Sequence, residues 1–223
     1  MKHIIFFLSC PLLLAYCSAP SQPEPHSTMR MYARYMQQED NLRAEAGLES
    51  SKNGEAMLPV EIPGGIKFAG KPMQILPITG ITYYLEQSGS VGDNQVFSWT
   101  DPDGKPREFA LPLKPVANFR FQPELIDRTQ PLKVIWDGKP IEKGEEMVFI
   151  WENLGAGQTV KMEIQGLHNT PEIEFPATKV AELQPGPWAV YLVRRTYLED
   201  KTSGTPVSGI FEYYTATDTV RVK

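Results

Sequence analysis

Residues 182–195, ELQPGPWAVYLVRR, combine a tight corner with a long apolar strand. Pro185 fixes its own φ and Gly186 accepts a positive φ, so the chain can reverse direction there. Because side chains alternate along a strand, one face carries Trp188, Val190, Leu192 and Arg194. Both faces are apolar up to the two arginines, which predicts a central strand of a β-sandwich with Trp188 buried between the sheets.

Strand-like segments recur from residue 57 to the end of the chain, at spacings of roughly ten residues and without helices between them. This spacing predicts antiparallel β structure. Residues 123–223 have the length and the strand number of one immunoglobulin-like sandwich. Residues 56–122 form either a smaller N-terminal β domain or additional strands on the same sandwich.

The segment Asp101-Pro102-Asp103-Gly104 lies between two alternating stretches and is typical of a hairpin turn. Proline stands at the second turn position and glycine at the fourth. The alternative is a calcium loop, because the two aspartates place carboxylates at ligand spacing. A third acidic position and a distal glutamate are missing, so we expect a turn and no metal site.

Residues 17–55 are predicted to hold a tether followed by a short helix from Met29 to about Ala46. The tether, residues 18–27, is rich in proline and serine. Thr28 is a candidate helix cap and Gly47 a candidate stop. Apolar residues recur between them at roughly helical spacing: Met29, Tyr32, Met36, Leu42 and Ala46. Such a helix would dock either on the protein's own body or on a partner.

Residues 1–16 are predicted to be a lipoprotein signal peptide. Their apolar run, residues 4–15, is too short for a transmembrane helix, which needs about 20 apolar residues, and it has the character of a signal-peptide core. The segment Leu14-Ala15-Tyr16-Cys17 resembles the bacterial lipobox, although an aromatic residue stands where that motif has a small one. The resemblance implies that lipid is attached to Cys17.

Two alternatives to lipidation at Cys17 stay open. Cys10 could carry the lipid, which would leave a very short apolar core, or an ordinary secretory cleavage could follow Ala19. Cys10 and Cys17 are the only cysteines of the sequence. We therefore expect an exported chain without a disulfide and without a thiol nucleophile.

Composition and motifs bound the chemistry of the chain. The net charge of -5 and the lack of a basic block argue against nucleic acid as a partner. The sequence has no Gly-x-Ser-x-Gly elbow and no cluster of His and Cys, so we expect no catalytic residues, no metal and no cofactor. Paired acids could serve a glycoside hydrolase, or could simply line a solvated strand edge: Glu142 with Glu145 and Glu146, and Glu172 with Glu174.

Two family resemblances rest on the Pro-Gly corner, the Pro-Gly-Gly segment and the predicted helix. The Pro-Gly corner followed by Trp188 and Tyr191 resembles the corner of fibronectin-type and immunoglobulin-like domains. The exported chain also resembles surface lipoproteins of Bacteroidota in its predicted helix, in its Pro63-Gly64-Gly65 segment and in Pro185-Gly186-Pro187-Trp188. This resemblance implies a lipid-anchored protein of the outer membrane, on its periplasmic or cell-surface side, with a mainly β immunoglobulin-like sandwich. It implies no activity.

These features favour a non-catalytic binding or assembly module, an accessory subunit of an outer-membrane protein complex. The alternative is a carbohydrate-binding accessory lipoprotein or a glycan hydrolase, because aromatic planes stack on sugars. Trp188, Tyr213 and Tyr214 are the candidate ligand or partner contacts. A row of exposed aromatic residues on one sheet would favour the carbohydrate, and a flat apolar patch would favour the protein partner.

Overall fold

A computed structural model describes residues 26–51, 55–76, 80–89, 92, 94–101, 103–202 and 204–223. The predicted signal peptide, the lipidation candidates Cys10 and Cys17 and most of the predicted tether lie outside these residues. Within the described part of the chain, no helix is long and apolar enough to cross a membrane.

Strands make up most of the described residues. In chain order they are β1 His26–Met36, β2 Asn41–Ser51, β3 Leu58–Val60, β4 Ile66–Phe68, β5 Lys71–Pro72, β6 Gln74–Leu76, β7 Thr82–Ser88, β8 Asn94–Thr100, β9 Pro106–Pro112, β10 Phe119–Gln122, β11 Leu125–Ile126, β12 Leu132–Trp136, β13 Glu145–Asn153, β14 Thr159–Gln165, β15 Glu172–Phe175, β16 Gly186–Asp200, β17 Val207–Tyr214 and β18 Asp218–Val222. A 3-10 turn covers Gln37–Glu39, and helix α1 covers Ala177–Val180.

The longest strand, β16, organises the main sheet. One edge of β16 pairs antiparallel with β13, which in turn pairs with β14. The other edge pairs first with β18 and then with β17. The sheet continues from β17 through β1, β2 and β7 to β6, with β3 beside β2 and β11 beside β18. The contact between β17 and β1 is parallel, whereas β1 and β2 form an antiparallel hairpin.

A three-stranded sheet, β10-β12-β15, packs on β13 of the main sheet. Phe121 of β10 lies with its ring centroid 5.0 Å from that of Trp151, and Phe175 of β15 meets Phe149 edge-on at 5.1 Å. Two antiparallel sheets packed face to face, with β14-β13-β16-β17 opposite β10-β12-β15, are an immunoglobulin-like β-sandwich. The predicted fold class is therefore confirmed.

A four-stranded sheet, β5-β4-β8-β9, extends the same side of the main sheet. Its strand β9 packs closely on β17 at Gly209. A side chain would not fit there, because a Cβ added to Gly209 would lie 2.6 Å from Leu111 Cδ2. The buried residues of both smaller sheets and of the main sheet belong to one continuous cluster. Strands from residues 56–122 and from residues 123–223 thus share the main sheet. The domain boundary predicted between residues 122 and 123 stays a prediction.

The helix predicted from Met29 to Ala46 is wrong, because this segment forms the hairpin β1–β2. Its apolar residues alternate, and the alternate positions are buried: Met29, Met31, Ala33, Leu42, Ala44 and Ala46. Asp40 adopts a left-handed conformation, with φ 45° and ψ 47°, and turns the chain between the strands. The roughly helical spacing of the apolar residues was therefore a coincidence. The alternation of buried residues with a period of two is the pattern that corresponds to the observed strands.

The corner at the start of β16 has the predicted geometry. Gly186 has φ +139°, a conformation that other residues rarely adopt. Trp188 is 0% exposed, and its Nε1 donates a hydrogen bond of 2.8 Å to the Gln184 carbonyl. The prediction that Trp188 is buried is confirmed.

The hairpin predicted around residues 101–104 is also confirmed. Strands β8 and β9 pair antiparallel, from Asn94 with Pro112 to Thr100 with Pro106. The Gly104 backbone N–H donates to the Asp101 carbonyl at 2.9 Å, which closes the turn.

Candidate binding face

The outer face of the main sheet is the side opposite both smaller sheets. Alternation along the strands brings the following side chains to it: Arg30, Tyr32, Arg34, Arg43, Glu45, Tyr84, Glu86, Glu146, Tyr191, Arg195, Tyr197, Glu212 and Tyr214. Residues directly opposite one another in neighbouring strands share a face, so tyrosines, arginines and glutamates from six strands meet here. We call this surface the outer face.

Glu212 is the centre of the polar network on the outer face. Its Oε1 accepts a hydrogen bond of 2.6 Å from Arg195 Nε. Its Oε2 accepts from the hydroxyls of Tyr32, at 2.6 Å, and Tyr214, at 2.9 Å. Arg195 also binds Glu146 Oε1 at 2.6 Å. Burial and the Glu212 carboxylate together raise the pKa of Tyr214 to about 12, and they raise the pKa of Tyr32 as well.

Arg34 stands beside this network without joining it. In register, Arg34 lies between Glu212 of β17 and Arg43 of β2. Both oxygens of Glu212 already accept hydrogen bonds from other residues, and the buried Nε of Arg34 has no hydrogen-bond partner among the described residues. The Arg34 guanidinium instead lies 5.8 Å from the centroid of the Tyr214 ring. Arg34 is therefore a partly buried cation that lies beside the Tyr214 ring.

Arg43, the neighbour of Arg34, is satisfied locally. Its Nη2 lies 2.8 Å from Glu45 Oε1, and its guanidinium lies 4.9 Å from the centroid of the Tyr84 ring. The Tyr84 hydroxyl donates in turn to Glu86, which also accepts from Asn41 at 2.8 Å. These contacts link β2 to β7 on the outer face.

A depression of about 350 Å³ opens on the outer face beside Tyr32. Gly47 forms part of its floor, because a residue without a side chain leaves room between β1 and β7. Glu45 and the ion pair of Arg30 with Glu49 line its walls. The depression therefore offers carboxylate acceptors next to an aromatic ring.

Tyrosine rings form a row across the outer face. Tyr191 and Tyr214 are stacked, with ring centroids 6.3 Å apart and an angle of 27° between the rings. Tyr197, 42% exposed, Tyr32 and Tyr84 lie on a second line across the strands, because Ile210 faces both Tyr197 and Tyr32, and Glu45 faces both Tyr32 and Tyr84. Aromatic planes in such a row are suited to stacking on an extended ligand.

Of the three predicted contact residues, only Tyr214 reaches the outer face. Trp188 lies in the interior, and Tyr213 is 5% exposed on the inner side, 5.5 Å from the ring of Tyr35. Tyr32 and Arg34 were missed, because the spacing of the apolar residues predicted a helix in this segment. The alternation Arg30-x-Tyr32-x-Arg34 was the available signal, since it places these side chains on one face of a strand.

The paired acids of β13 are not a solvated edge. Glu145 is buried, and it binds Arg194 at 2.6 Å and also Lys114. Burial alone would raise the pKa of Glu145, but the hydrogen bonds from Lys114 and Arg194 outweigh it and hold the pKa below its ordinary value. Glu146 pairs with Arg195 on the opposite face. The solvated-edge interpretation is therefore wrong for Glu145 and Glu146.

The Asp101 carboxylate stabilises the hairpin turn. Asp101 Oδ1 accepts backbone hydrogen bonds from Asp103, at 3.0 Å, and Lys105, at 2.9 Å, and Asp101 Oδ2 accepts from Arg107 Nε at 2.8 Å. The Lys105 backbone bond, with the Arg107 contact, lowers the pKa of Asp101. In the described ranges, no group of three or more His, Cys, Asp and Glu side chains is arranged to hold a metal ion.

The chain matches no model of a known protein family and no curated protein. Among solved structures, it is similar to the fibronectin(III)-like modules of CbhA from Clostridium thermocellum. The identity is 10%, the match covers 88% of this chain and 94% of that chain, and the TM-score is 0.27. A TM-score of this size carries no inference about function. The strand order described above supports the immunoglobulin-like sandwich independently of this likeness.

Proposed function

We propose that this protein is a lipid-anchored, non-catalytic binding module of the outer membrane, and that its ligand binds to the outer face. The observation that carries the proposal is a set of partly buried tyrosines, Tyr32, Tyr84, Tyr191 and Tyr214, interleaved with arginines on one face of one sheet. Tyrosine and arginine are the residue types that concentrate binding energy, because they combine large apolar area with directed hydrogen bonds.

A glycan is the ligand that this surface fits best. A row of exposed aromatic residues on one sheet is the feature expected of a carbohydrate-binding protein, and on the outer face Tyr197 is exposed while the other tyrosines are partly buried. The depression beside Tyr32 adds carboxylate acceptors for hydroxyl groups. Arg195, Glu146 and Glu212 on this face are held in mutual ion pairs, which suits ligand binding better than proton transfer. The protein would thus act as an accessory that holds glycan at the membrane.

A second candidate function is assembly with an outer-membrane protein. The supporting observation is a set of exposed apolar residues at the β3 and β6 edge of the main sheet: Leu58 at 61%, Val60 at 36% and Ile75 at 42%. Open sheet edges with apolar side chains are sites for pairing with another chain. A partner seated there would leave the tyrosine row free.

Affinity electrophoresis tests the glycan proposal. The full chain, expressed with its leader and released from membranes with detergent, is run through gels that contain neutral or acidic plant polysaccharides. We expect retardation by at least one polysaccharide, loss of retardation in the double variant Tyr32→Ala/Tyr214→Ala, and no change in Leu167→Ala, whose site is an exposed loop. Retardation that persists in the tyrosine variant would contradict the proposal.

The assembly candidate and the anchor have separate tests. Cross-linking in intact cells, followed by mass spectrometry, should capture an outer-membrane protein, and the replacement Leu58→Glu should abolish that product if the β3 edge is the docking site.

For the anchor, Cys17→Ala should abolish acyl labelling and release the chain from the membrane pellet. Labelling that disappears only in Cys10→Ala would select the other cysteine.

A further inference from the structure

We propose that the edge of the main sheet formed by β3 and β6 lies against the lipid surface that carries the anchor, and that this surface is zwitterionic. The inference rests on the lipid anchor of the proposed function and adds a second membrane contact to it. Two observations carry it. Three exposed apolar side chains, Leu58, Val60 and Ile75, lie at this edge, and the edge stands at the end of the sheet where the chain enters β1. We call these three side chains the apolar edge.

The apolar edge projects from one side of the sheet. Val60 lies opposite Leu48, and Ile75 lies opposite Tyr83. Leu48 and Tyr83 are buried on the inner side, and Leu58 shares that side because it lies two residues from Val60 on the same strand. Apolar side chains that gather at one border of a sheet, rather than standing singly, indicate a contact surface.

The predicted tether enters the sheet beside the apolar edge. Ser27 pairs with Ser50 of β2, and Ser50 pairs with Leu58 of β3. Leu58 is thus two strands away from the start of β1, a distance of about 10 Å between backbones. His26 follows Cys17 by nine residues, and a chain of that length spans at most about 30 Å. A lipid on Cys17 would therefore hold this end of the sheet within about 30 Å of the bilayer.

The edge suits a lipid surface better than it suits another strand. Strand β3 is three residues long and has Pro59 at its centre, and proline lacks the N–H that a further strand would need. The edge offers aliphatic side chains instead, and these gain free energy when they leave water for hydrocarbon. Three such side chains bind a membrane weakly by themselves. The anchor makes the contact intramolecular, so that a weak contact becomes effective.

The charges around the apolar edge favour a zwitterionic lipid. Glu55 and Glu61 flank β3 and are exposed, whereas Glu49, opposite Pro59, is bound by Arg30. Exposed carboxylates are repelled by the negative surface potential of an anionic membrane, and salt screens this repulsion. The contact should therefore be stronger on phosphatidylcholine than on phosphatidylglycerol.

Tryptophan quenching by brominated lipid tests the inference. The full chain, lipidated in the cell and purified, is reconstituted in vesicles of brominated phosphatidylcholine, and Leu58→Trp places a probe on the apolar edge. The four native tryptophans are buried, so they contribute little quenching. Leu125→Trp is the matched control, because Leu125 is an exposed leucine on an edge strand near the start of β16, at the opposite end of the sheet. We expect roughly twofold quenching of Leu58→Trp and none of Leu125→Trp.

A second substitution connects the quenching to the apolar edge. Adding Ile75→Glu to Leu58→Trp should abolish the quenching, because a carboxylate opposes burial in lipid, and the melting temperature should stay unchanged. Adding Leu167→Glu, a matched change at an exposed loop residue, should leave the quenching as it was. Brominated phosphatidylglycerol should quench Leu58→Trp less than brominated phosphatidylcholine does, and equal quenching would overturn the zwitterionic class.

Acyl labelling of the same preparation separates this inference from the function on which it rests. Acylated chain that stays on the vesicles without quenching of Leu58→Trp would keep the anchor and overturn the lipid contact of the apolar edge. Chain that carries no acyl label and leaves the vesicles would overturn the anchor and the inference together. A protein cross-link in intact cells that Leu58→Glu abolishes would assign the edge to a protein partner and overturn the lipid contact.

Discussion

The two faces of β16 place the same kind of arginine–glutamate ion pair in different environments. Arg194 and Arg195 are neighbours in sequence, and they pair with Glu145 and Glu146, which are also neighbours, at the same distance of 2.6 Å. The Arg194 side chain is 1% exposed and lies on the inner face, whereas the Arg195 side chain is 31% exposed and lies on the outer face. One pair therefore belongs to the core and the other to a surface that a ligand can reach.

The difference shows that residue type alone does not separate structure from function. Removing one partner of a fully buried ion pair leaves a charge that no water can reach. An ion pair at the surface exchanges its partner for water at a lower cost. Arg194 also donates to the carbonyls of Lys139, at 2.8 Å, and Pro140, at 2.7 Å, so it fastens the loop before β13 to the core.

The largest effect is expected on the inner face at Trp188. Trp188→Ala should lower the free energy of unfolding by about 3–5 kcal/mol, because it leaves a cavity between the sheets. It also removes the hydrogen bond to the Gln184 carbonyl. Tyr191→Ala, a change of similar size on the outer face of the same strand, should cost clearly less. Thermal melts of both variants provide the measurement, and a shift below about one degree for Trp188→Ala would reject its place in the core.

The arginine pair gives a matched comparison of the two faces. Arg194→Ala should lower the free energy of unfolding by about 3 kcal/mol, the lower end of the range for a broken buried pair, since Lys114 still faces Glu145. Arg195→Ala should cost about 1–2 kcal/mol, because Glu212 keeps two tyrosine donors. Urea unfolding with a constant m-value measures both. Equal losses would show that the faces do not differ in this way.

Two glycines test the packing on each side of the main sheet. Gly209→Ala should destabilise the protein by about 1–3 kcal/mol, because the added Cβ would meet Phe109 and Leu111 of β9. Gly47→Ala adds the same group to the outer face, where the nearest atom is the Ile81 carbonyl oxygen at 3.9 Å, and should cost little. A chemical denaturation series compares them, and a neutral Gly209→Ala would argue against the contact of β9 with β17.

The smallest effect concerns the hydroxyl of Tyr214. Its pKa is raised to about 12 in the folded protein, against about 10 in an unfolded chain. The corresponding stabilisation is fully present below pH 10 and is lost as the pH rises toward 12, because the folded state holds its proton longer. Absorbance at 295 nm should show several late-titrating tyrosines, Tyr32 among them, and one fewer in Tyr214→Phe. Glu212→Gln should move the Tyr214 titration to lower pH.

The strands of the immunoglobulin-like part were predictable because each carries a local signal. The alternation in β12 and β14, the apolar run in β13 and the Pro-Gly corner before β16 all correspond to observed elements. Each of these signals arises within a single strand. Where one face of a strand is buried, apolar residues alternate with a period of two, and where both faces are buried the apolar residues are consecutive.

The outer face could not be assembled from the sequence. Tyr32 and Arg34 lie near the start of the described chain and Glu212 lies near its end, and only the parallel pairing of β1 with β17 brings them together. No local pattern encodes which strand a hairpin will join. The burial of Arg194 was missed for a related reason, because its partners Glu145 and Lys114 come from other parts of the chain.

The pairing of β1 with β17 also sets the order in which the protein can fold. Tyr32 and Glu212, which are hydrogen-bonded, are separated by 180 residues. Contacts of such long sequence separation carry a high loop-closure entropy and slow the folding of a domain. The first hairpin of the described chain must wait for one of the last strands, so a chain synthesised from its N-terminus exposes the edge of β1 until synthesis is nearly complete.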